Sequence, residues 1–203
     1  SLLTMQLDQG EPERDIIVQI AVWTRYADAD WELRNINASL QSLELDHRIT
    51  DYSGADPDEF AEVLAGSHVL LIPDQDQASP QAMHELGRDL ADVMQHFTAE
   101  AGGYIVATGF AGNTAAFLAG ADLLRLDIRD YHERLECEAV GQHPVTAGVN
   151  QYVALHGCNT HISEDDDAVV IARDTDSGLN NITARTIGNG GVVYLGMDWS
   201  QYN

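Results

Sequence analysis

The chain has 203 residues, which is enough for one sizeable core and lies near the upper end for a single domain. Its formal net charge of −23 argues against a nucleic-acid partner, because an acidic surface repels phosphates. The longest apolar runs fall far short of the roughly 20 residues that span a bilayer, so no membrane partner is expected.

The choice of charged residues is uneven. All ten basic residues are arginines and no lysine occurs. Three explanations stay open: an acidic, solvated surface adapted to high salt, a GC-rich genome that favours arginine, and a surface that binds cations or basic partners. We favour the first, which predicts a halophilic, cytoplasmic protein and leaves an extracytoplasmic location open.

Strands and helices alternate in the first half of the chain. Polar residues 1–14 are expected to form a flexible N-terminal arm, and residues 15–203 a single domain. Continuous apolar runs predict buried strands, and apolar residues at helical spacing after capping residues or proline predict helices. The predicted strands are 15–24, 47–52, 68–73 and 104–108, and the predicted helices are 31–43, 57–66, 80–101 and 114–118. Such alternation indicates right-handed crossovers and parallel strands.

After residue 127 the pattern changes to closely spaced strands. Some of them are expected to form an antiparallel extension, and the last to return to the main sheet. The predicted strands are 135–140, 151–156, 168–172, 181–187 and 191–196. The predicted fold class is therefore α/β, a flavodoxin-like three-layer sandwich with a mainly parallel sheet and an antiparallel C-terminal extension.

Three segments match a known superfamily in their order and spacing. The first runs from Ser67 to Pro73 and, after a long helix, from Ala101 to Gly109. The second is the loop HPVTAG at residues 143–148, and the third, residues 188–199, reads GNGGVVYLGMDW. With these segments, residues 15–199 resemble the class I glutamine amidotransferase-like superfamily, in particular its non-amidotransferase, trehalose-utilisation-type branch.

Active members of this superfamily carry a cysteine nucleophile on a sharp turn of the form G-x-C-x-G, and a histidine after the last core strand. The matching turn here, residues 109–113, reads GFAGN, so Ala111 stands at the nucleophile position. Met197 falls where related domains carry the histidine. Because alanine cannot attack a carbonyl and methionine is no base, the resemblance implies this fold without glutaminase chemistry.

The two cysteines, Cys137 and Cys158, lie outside that turn. Buried free thiols are the expected state, and a disulfide between them is the alternative. His156 and Cys158 fall on one face of a strand with His161 further along, but the sequence identifies no fourth zinc ligand. No metal site and no cofactor is therefore predicted.

The candidate ligand site lies at the carboxyl ends of the predicted parallel strands. In open α/β sheets ligands bind at this edge, near a change in strand order. Three loops are expected to meet there, and the alternative is that they are ordinary surface loops. The candidate ligand-binding residues are Thr24, Arg25, Asp74, Gln75, Gly109, Phe110, Asn113 and Asp198.

Two functions are compatible with these residues. The first is a non-catalytic binding or interaction module, with an unknown small molecule or protein as partner and a homo-oligomer as a possible assembly. The second is a hydrolase or carbohydrate-modifying enzyme that uses Asp74, Asp76 or Asp198 as acid or base. A buried carboxylate with a shifted pKa in a deep cleft would favour the enzyme, and water-exposed carboxylates would favour binding.

The halophilic explanation predicts a salt-dependent stability. The unfolding temperature, measured by calorimetry in increasing KCl, should rise into the molar range, because salt shortens the repulsion between acidic side chains to a few Å. An unfolding temperature that does not change with KCl would contradict this explanation.

Overall fold

Nine strands and five helices form the part of the chain that the computed structural model describes, residues 17–42 and 46–198; the predicted arm over residues 1–14 lies outside it. The strands are β1 (Val18–Trp23), β2 (His47–Tyr52), β3 (Val69–Ile72), β4 (Tyr104–Thr108), β5 (Leu126–Ala139), β6 (Gln151–Ser163), β7 (Val169–Asp174), β8 (Asn180–Ile187) and β9 (Gly190–Leu195). The helices are α1 (Ala29–Ser42), α2 (Pro57–Ala65), α3 (Pro80–Asp89), α4 (Ala91–Gln95), which a π-helical turn (His96–Glu100) continues, and α5 (Asn113–Gly120). None of these helices is long and apolar enough to cross a membrane.

The parallel half of the sheet has the strand order β2-β1-β3-β4-β9. Its central strands are apolar on both faces because helices cover both faces. On one face Trp23 packs between Phe60 of α2 and Phe117 of α5, with ring centroids 5.7 and 4.8 Å away. On the other face Ile36 of α1 packs against Val22 and its neighbours.

The antiparallel half is a closed barrel. Strands β6 and β7 each pair with both β5 and β8, so the four strands close on themselves. The antiparallel pairing of β8 with β9 joins this barrel to the parallel half. The buried apolar residues of the barrel are Leu135, Cys137, Ala154, Cys158, Ile171, Ala172, Ile182, Ala184 and Val193.

This barrel overturns the predicted fold class. Among the described residues four strand pairings are parallel and five are antiparallel. A flavodoxin-like sandwich with a mainly parallel sheet is therefore wrong, and the antiparallel strands close around a core of their own instead of extending one edge. The sequence pattern misses this because apolar periodicity marks which face of a strand is buried but not which strand it pairs with.

Local signals predict several elements well. The carboxylate of Asp56 accepts the backbone N–H groups of Asp58 and Glu59 at 3.0 and 3.1 Å, and Pro57 occupies the first turn of α2. This confirms the predicted start of the helix, and its end before Gly66 is confirmed as well. Strands β2 and β4 have the predicted bounds.

Other elements differ from the prediction. The single helix expected over residues 80–101 is divided at Leu90, which has φ −101° and ψ 3° and leaves the helical conformation. Strand β5 begins at Leu126, whereas the predicted strand begins at residue 135. The prediction misses the first half of β5 because charged residues on its exposed side hide the strand pattern. Strand β6 continues to Ser163 through His156, whose φ of 56° no periodicity signals.

Two glycines allow α3 and α5 to approach backbone to backbone. A Cβ added at Gly87 would fall on the carbonyl oxygen of Phe117, and one added at Gly120 would fall on that of His84. This close approach fixes α5 and, with it, the turn that precedes the helix.

Replacement of Gly120 tests this contact. Gly120→Ala should lower the free energy of unfolding by about 1–3 kcal/mol, because the helices must move apart to admit the methyl group. Gly66→Ala is the matched control, since an added Cβ there meets nothing within 4 Å, and its effect should stay within about 0.5 kcal/mol. Urea denaturation measures both, and equal stabilities of the two variants would contradict the packing argument.

Candidate ligand-binding site

The turn between β4 and α5, residues 109–113, is called the elbow below. Gly112 adopts φ 82° in the left-handed region that glycine enters readily, and α5 begins at Asn113. Ala111 directly precedes Gly112, at the position where active members of the resembled superfamily carry cysteine. The elbow therefore has the expected sharp shape but presents a methyl group.

Asp74 ties the end of β3 to the elbow. Its carboxylate accepts the backbone N–H of Phe110 at 3.1 Å and lies 3.4 Å from the hydroxyl of Thr114 in α5. The backbone N–H of Gln75 donates to the same Thr114 hydroxyl at 3.2 Å. The Asp74 side chain is only 4% exposed, so these contacts are made away from water.

Glu32 is a member of the site that the sequence analysis missed. It lies in the first turn of α1, is 3% exposed, and accepts the backbone N–H of Asp74 at 3.1 Å. One signal could have found it: Glu32 stands four residues before Ile36, on the apolar stripe of the helix. A carboxylate on a buried stripe needs a partner, and here that partner is 42 residues away in sequence.

Asp198 completes a group of acidic side chains, with Glu32 and Asp74, that we call the carboxylate cluster. The backbone N–H of Asp198 donates to the carbonyl of Gly157 at 3.1 Å, and its carboxylate occupies the space that a side chain at Gly157 would need. Gly157 has φ 103°, which also requires glycine. The glycine thus lets β6 approach Asp198 closely.

Burial raises the pKa values of this cluster. The pKa of Glu32 rises to about 8, first because the side chain is desolvated and then because Asp74 and Asp198 repel its charge. Desolvation and repulsion from Asp198 and Asp76 raise the pKa of Asp74 to about 6, although the Phe110 N–H opposes the shift. At neutral pH Glu32 is therefore largely protonated and Asp74 is largely ionised.

Asn159 of β6 anchors the elbow from the barrel side. Its side-chain amide donates to the carbonyl of Gly109 at 2.6 Å, to that of Phe110 at 3.2 Å and to the hydroxyl of Tyr194 at 2.9 Å. The Tyr194 hydroxyl in turn donates to the Gly109 carbonyl at 3.0 Å. Two side chains from the barrel junction thus hold one end of the elbow.

His161 supports Asn159 and is not placed to act as a base. Its Nδ1 lies 3.2 Å from the Asn159 side-chain oxygen, and its Nε2 lies 2.9 Å from the Thr183 hydroxyl. Complete burial lowers the pKa of His161 to about 3, so the ring is neutral. Met197, at the expected histidine position, packs its side chain into the barrel core.

The structure places six of the eight predicted residues around the elbow: Asp74, Gln75, Gly109, Phe110, Asn113 and Asp198. Gln75 is fully buried and links the ends of β1 and β3. Its side-chain oxygen accepts the Tyr26 N–H, and its side-chain nitrogen donates to the Trp23 carbonyl. Thr24 and Arg25 interact with the end of β2 instead. The Thr24 hydroxyl donates to the Asp51 carboxylate, and the Arg25 guanidinium donates to the Ser53 carbonyl. Ligand contact by any of these residues stays a prediction.

The cysteines and the candidate metal residues lie elsewhere. Cys137 and Cys158 are free thiols in the barrel core, and burial raises the pKa of each to about 11. His156 is exposed, whereas Cys158 and His161 are buried in different surroundings. Over residues 17–42 and 46–198, no three His, Cys, Asp or Glu side chains are arranged to hold a metal ion.

Comparison with known proteins gives structural matches only. No family model matches the chain, and no curated protein matches it. Solved structures do match, and one is a glutamine amidotransferase from Thermotoga maritima, with a TM-score of 0.57 and 9% identity over 88% of this chain and 74% of that one. This likeness supports an amidotransferase-like fold and does not single out the trehalose-utilisation branch.

Two other matches are parts of long glycosidases. An exo-β-1,4-mannosidase from Opitutaceae bacterium strain TAV5 matches 90% of this chain with a TM-score of 0.55 and 15% identity. An α-L-fucosidase isoenzyme 2 from Paenibacillus thiaminolyticus matches 89% with a TM-score of 0.57 and 12% identity. The chain spans 31% and 29% of these proteins, so each contains this fold as one part of a larger molecule.

Removing the charge of Glu32 tests the electrostatics of the site. Because its pKa is raised from 4.5 to about 8 on folding, the native state binds a proton between these pH values, and wild-type stability falls there as pH rises. The free energy of unfolding of Glu32→Gln, taken relative to that of the wild type, should rise by roughly 1–4 kcal/mol from pH 4 to pH 9. Urea denaturation at each pH measures the difference.

The exposed Glu138 provides the control for this measurement. Glu138→Gln should differ from the wild type by a nearly constant free energy of unfolding over the same pH range. A Glu32→Gln difference as flat as that of the control would contradict the raised pKa.

Proposed function

We propose that this chain is a non-catalytic binding module built on an amidotransferase-like fold, with its ligand site at the elbow and the carboxylate cluster. The observation that carries the proposal is Ala111 at the bend, beside N–H groups that are already bonded within the protein. A scaffold of this kind retains the shape of an active site while lacking both its nucleophile and its base.

Acyl transfer needs unoccupied hydrogen-bond donors where negative charge develops on the substrate. At this site the N–H of Phe110 donates to Asp74, the N–H of Asp74 donates to Glu32, and the N–H of Gln75 donates to Thr114. Carboxyl groups thus accept two of these three N–H groups. The charge of Asp74 would repel the tetrahedral intermediate of an amidase, which supports a role other than amide hydrolysis.

The likeness to parts of two glycosidases supports a modular role. Both proteins contain this fold within a much longer chain, so the fold occurs beside carbohydrate-cleaving activity in proteins of different specificity. A module that binds carbohydrate or contacts a neighbouring domain is consistent with that setting. The identities of 15% and 12% carry the fold alone, and the binding role of this chain rests on its own elbow.

One observation favours a second candidate, a carbohydrate-cleaving or carbohydrate-modifying enzyme. Glu32 is buried and protonated at neutral pH, while Asp74 beside it is ionised. Two carboxyl groups in opposite protonation states are the usual acid and base of glycoside hydrolysis. Against this candidate, each of these two carboxyl groups already accepts a backbone N–H of the protein.

Restoring the missing thiol tests the binding-module proposal. In Ala111→Cys the new thiol should have an ordinary or raised pKa, at or above about 8.5, because the site offers carboxylates and no basic imidazole. The pH dependence of iodoacetamide alkylation measures this pKa, with the wild type and its two buried cysteines as background. The variant should hydrolyse no glutamine.

Two results would contradict the proposal. A thiol pKa well below 8.5 together with glutamine hydrolysis by Ala111→Cys would mean that the catalytic environment persists. Turnover of 4-nitrophenyl mannoside or fucoside by the wild type, abolished in Asp74→Asn, would establish the second candidate instead.

A further inference from the structure

The longest stretch of the chain without a charged side chain covers residues 139–163. It contains no aspartate, glutamate, lysine or arginine, although the formal net charge of the chain is −23. The stretch forms the loop after β5 and then strand β6, and its exposed apolar side chains are each 42% to 48% exposed: Val145, Val149, Val153 and Leu155. Exposed apolar side chains without charges are typical of the centre of a protein interface.

The other long uncharged stretch, residues 101–121, has a different cause. It forms β4, the elbow and α5, and side chains such as Phe117 and Leu118 fill the core. Burial accounts for the missing charges there, because a charged side chain without a partner is costly to bury. Burial does not account for them along the exposed face of β6.

The backbone of β6 is open on one side over residues 151–155, which are called the free edge below. The N–H of Ala139 donates to the carbonyl of Asn150 at 2.8 Å, so the even-numbered residues of the free edge bond to β5. The N–H and C=O groups of Val153 and Leu155 therefore point away from β5. The described part of the chain provides no backbone partner for them on that side.

The rest of the molecule covers β6 only beyond the free edge. The carbonyl of Gly157 accepts the N–H of Asp198, and His161 pairs with Asn180 of β8. His156, with φ 56°, lies between the covered part of the strand and the free edge. An open edge of this kind can pair with a strand from another molecule.

We propose that the free edge joins two copies of this chain, through antiparallel pairing of β6 with its counterpart about a twofold axis at Val153. The inference goes beyond the proposed function and does not depend on the elbow. A twofold interface needs a self-complementary surface. Pairing about Val153 meets this condition, because Val153 then faces the partner's Val153 and Leu155 faces the partner's Gln151.

Charge favours a second copy as the occupant of the free edge. Two copies with a net charge of −23 repel each other where their acidic surfaces meet, whereas residues 139–163 place no carboxylates opposite each other. On β5, Arg134 and Glu136 lie opposite Leu155 and Val153 and form an ion pair at 2.8 Å. A charged partner would therefore find no unpaired opposite charge on these four residues.

Sedimentation velocity of the full chain tests the association. The wild type should form a dimer, and its dissociation constant should fall about tenfold from about 0.1 M to about 1 M KCl, because salt screens the repulsion between the acidic surfaces. A chain that stays monomeric up to about 1 mM at every salt concentration would leave the free edge to a different protein and overturn the inference.

A charge at the twofold axis locates the interface. Val153→Asp and Val153→Lys should each raise the dissociation constant about tenfold or more, because like charges then face each other in the dimer. An equimolar mixture of the two variants should restore association, since the introduced carboxylate then faces the introduced ammonium group. Val169→Asp, at an exposed position of β7, is the matched control and should associate like the wild type.

Hydrogen exchange distinguishes strand pairing from a contact between side chains alone. The N–H groups of Val153 and Leu155 should exchange about tenfold or more slowly in the dimer than in dilute monomer. Those of Tyr152 and Ala154, which bond to β5, should exchange slowly in both states. Circular dichroism checks that the variants keep the fold of the wild type.

Three further results would overturn the inference. Unchanged association of Val153→Asp would place the contact elsewhere on the molecule. A mixture of the two folded Val153 variants that stays monomeric would exclude the twofold pairing about this residue. Equal exchange of the Val153 N–H at all protein concentrations would exclude strand pairing. None of these results affects the ligand site proposed at the elbow, which has its own tests.

Discussion

The hydrogen bonds between Asn159 and the elbow are the interaction on which the rest of the molecule depends. They connect a carbonyl at the end of β4 to a side chain of the barrel, and the Tyr194 hydroxyl reinforces the same point. A buried carbonyl left without a donor would cost about 1–3 kcal/mol, so the two halves of the fold stabilise each other here. Both nitrogens of His161 are engaged, which keeps the Asn159 amide oriented toward the elbow. The elbow owes its shape to the barrel as well as to its own glycine.

The alanine at the elbow lies beside buried acidic side chains. The backbone N–H groups of Phe110, Asp74 and Gln75 donate to the side chains of Asp74, Glu32 and Thr114, respectively. Burial and mutual repulsion raise the pKa values of the two carboxyl groups, so Glu32 is largely protonated at neutral pH. An amidase site stabilises developing negative charge, whereas the buried carboxyl groups here disfavour it. That difference is consistent with the proposed binding role.

Helix starts and short strands were predictable where capping residues or apolar runs within the element mark them. The Asp56 cap with Pro57, and the bounds of β2 and β4, follow from residues within or next to each element. The division of the helix at Leu90 was not predictable, since its apolar stripe fits a continuous helix equally well. The mainly parallel sheet was a wrong expectation because the later strands carry ordinary strand periodicity, which does not distinguish an edge extension from a closed barrel. Of the site, Asp74 and the elbow could be placed from strand ends, whereas Glu32 and Asn159 could not.

The sequence by itself determined the acidic, lysine-free composition, the bounds of β2 and β4, the start of α2, and the alanine at the elbow. Each of these depends on residue identity or on spacing over a few positions. Only the tertiary structure decided that the barrel closes, that Glu32 reaches the N–H of Asp74 and that Asn159 holds Gly109. The partners in these contacts are 42 and 50 residues apart, and each pair meets because long-range strand pairing and helix packing bring it together. No local preference of a glutamate or an asparagine specifies such a distant partner.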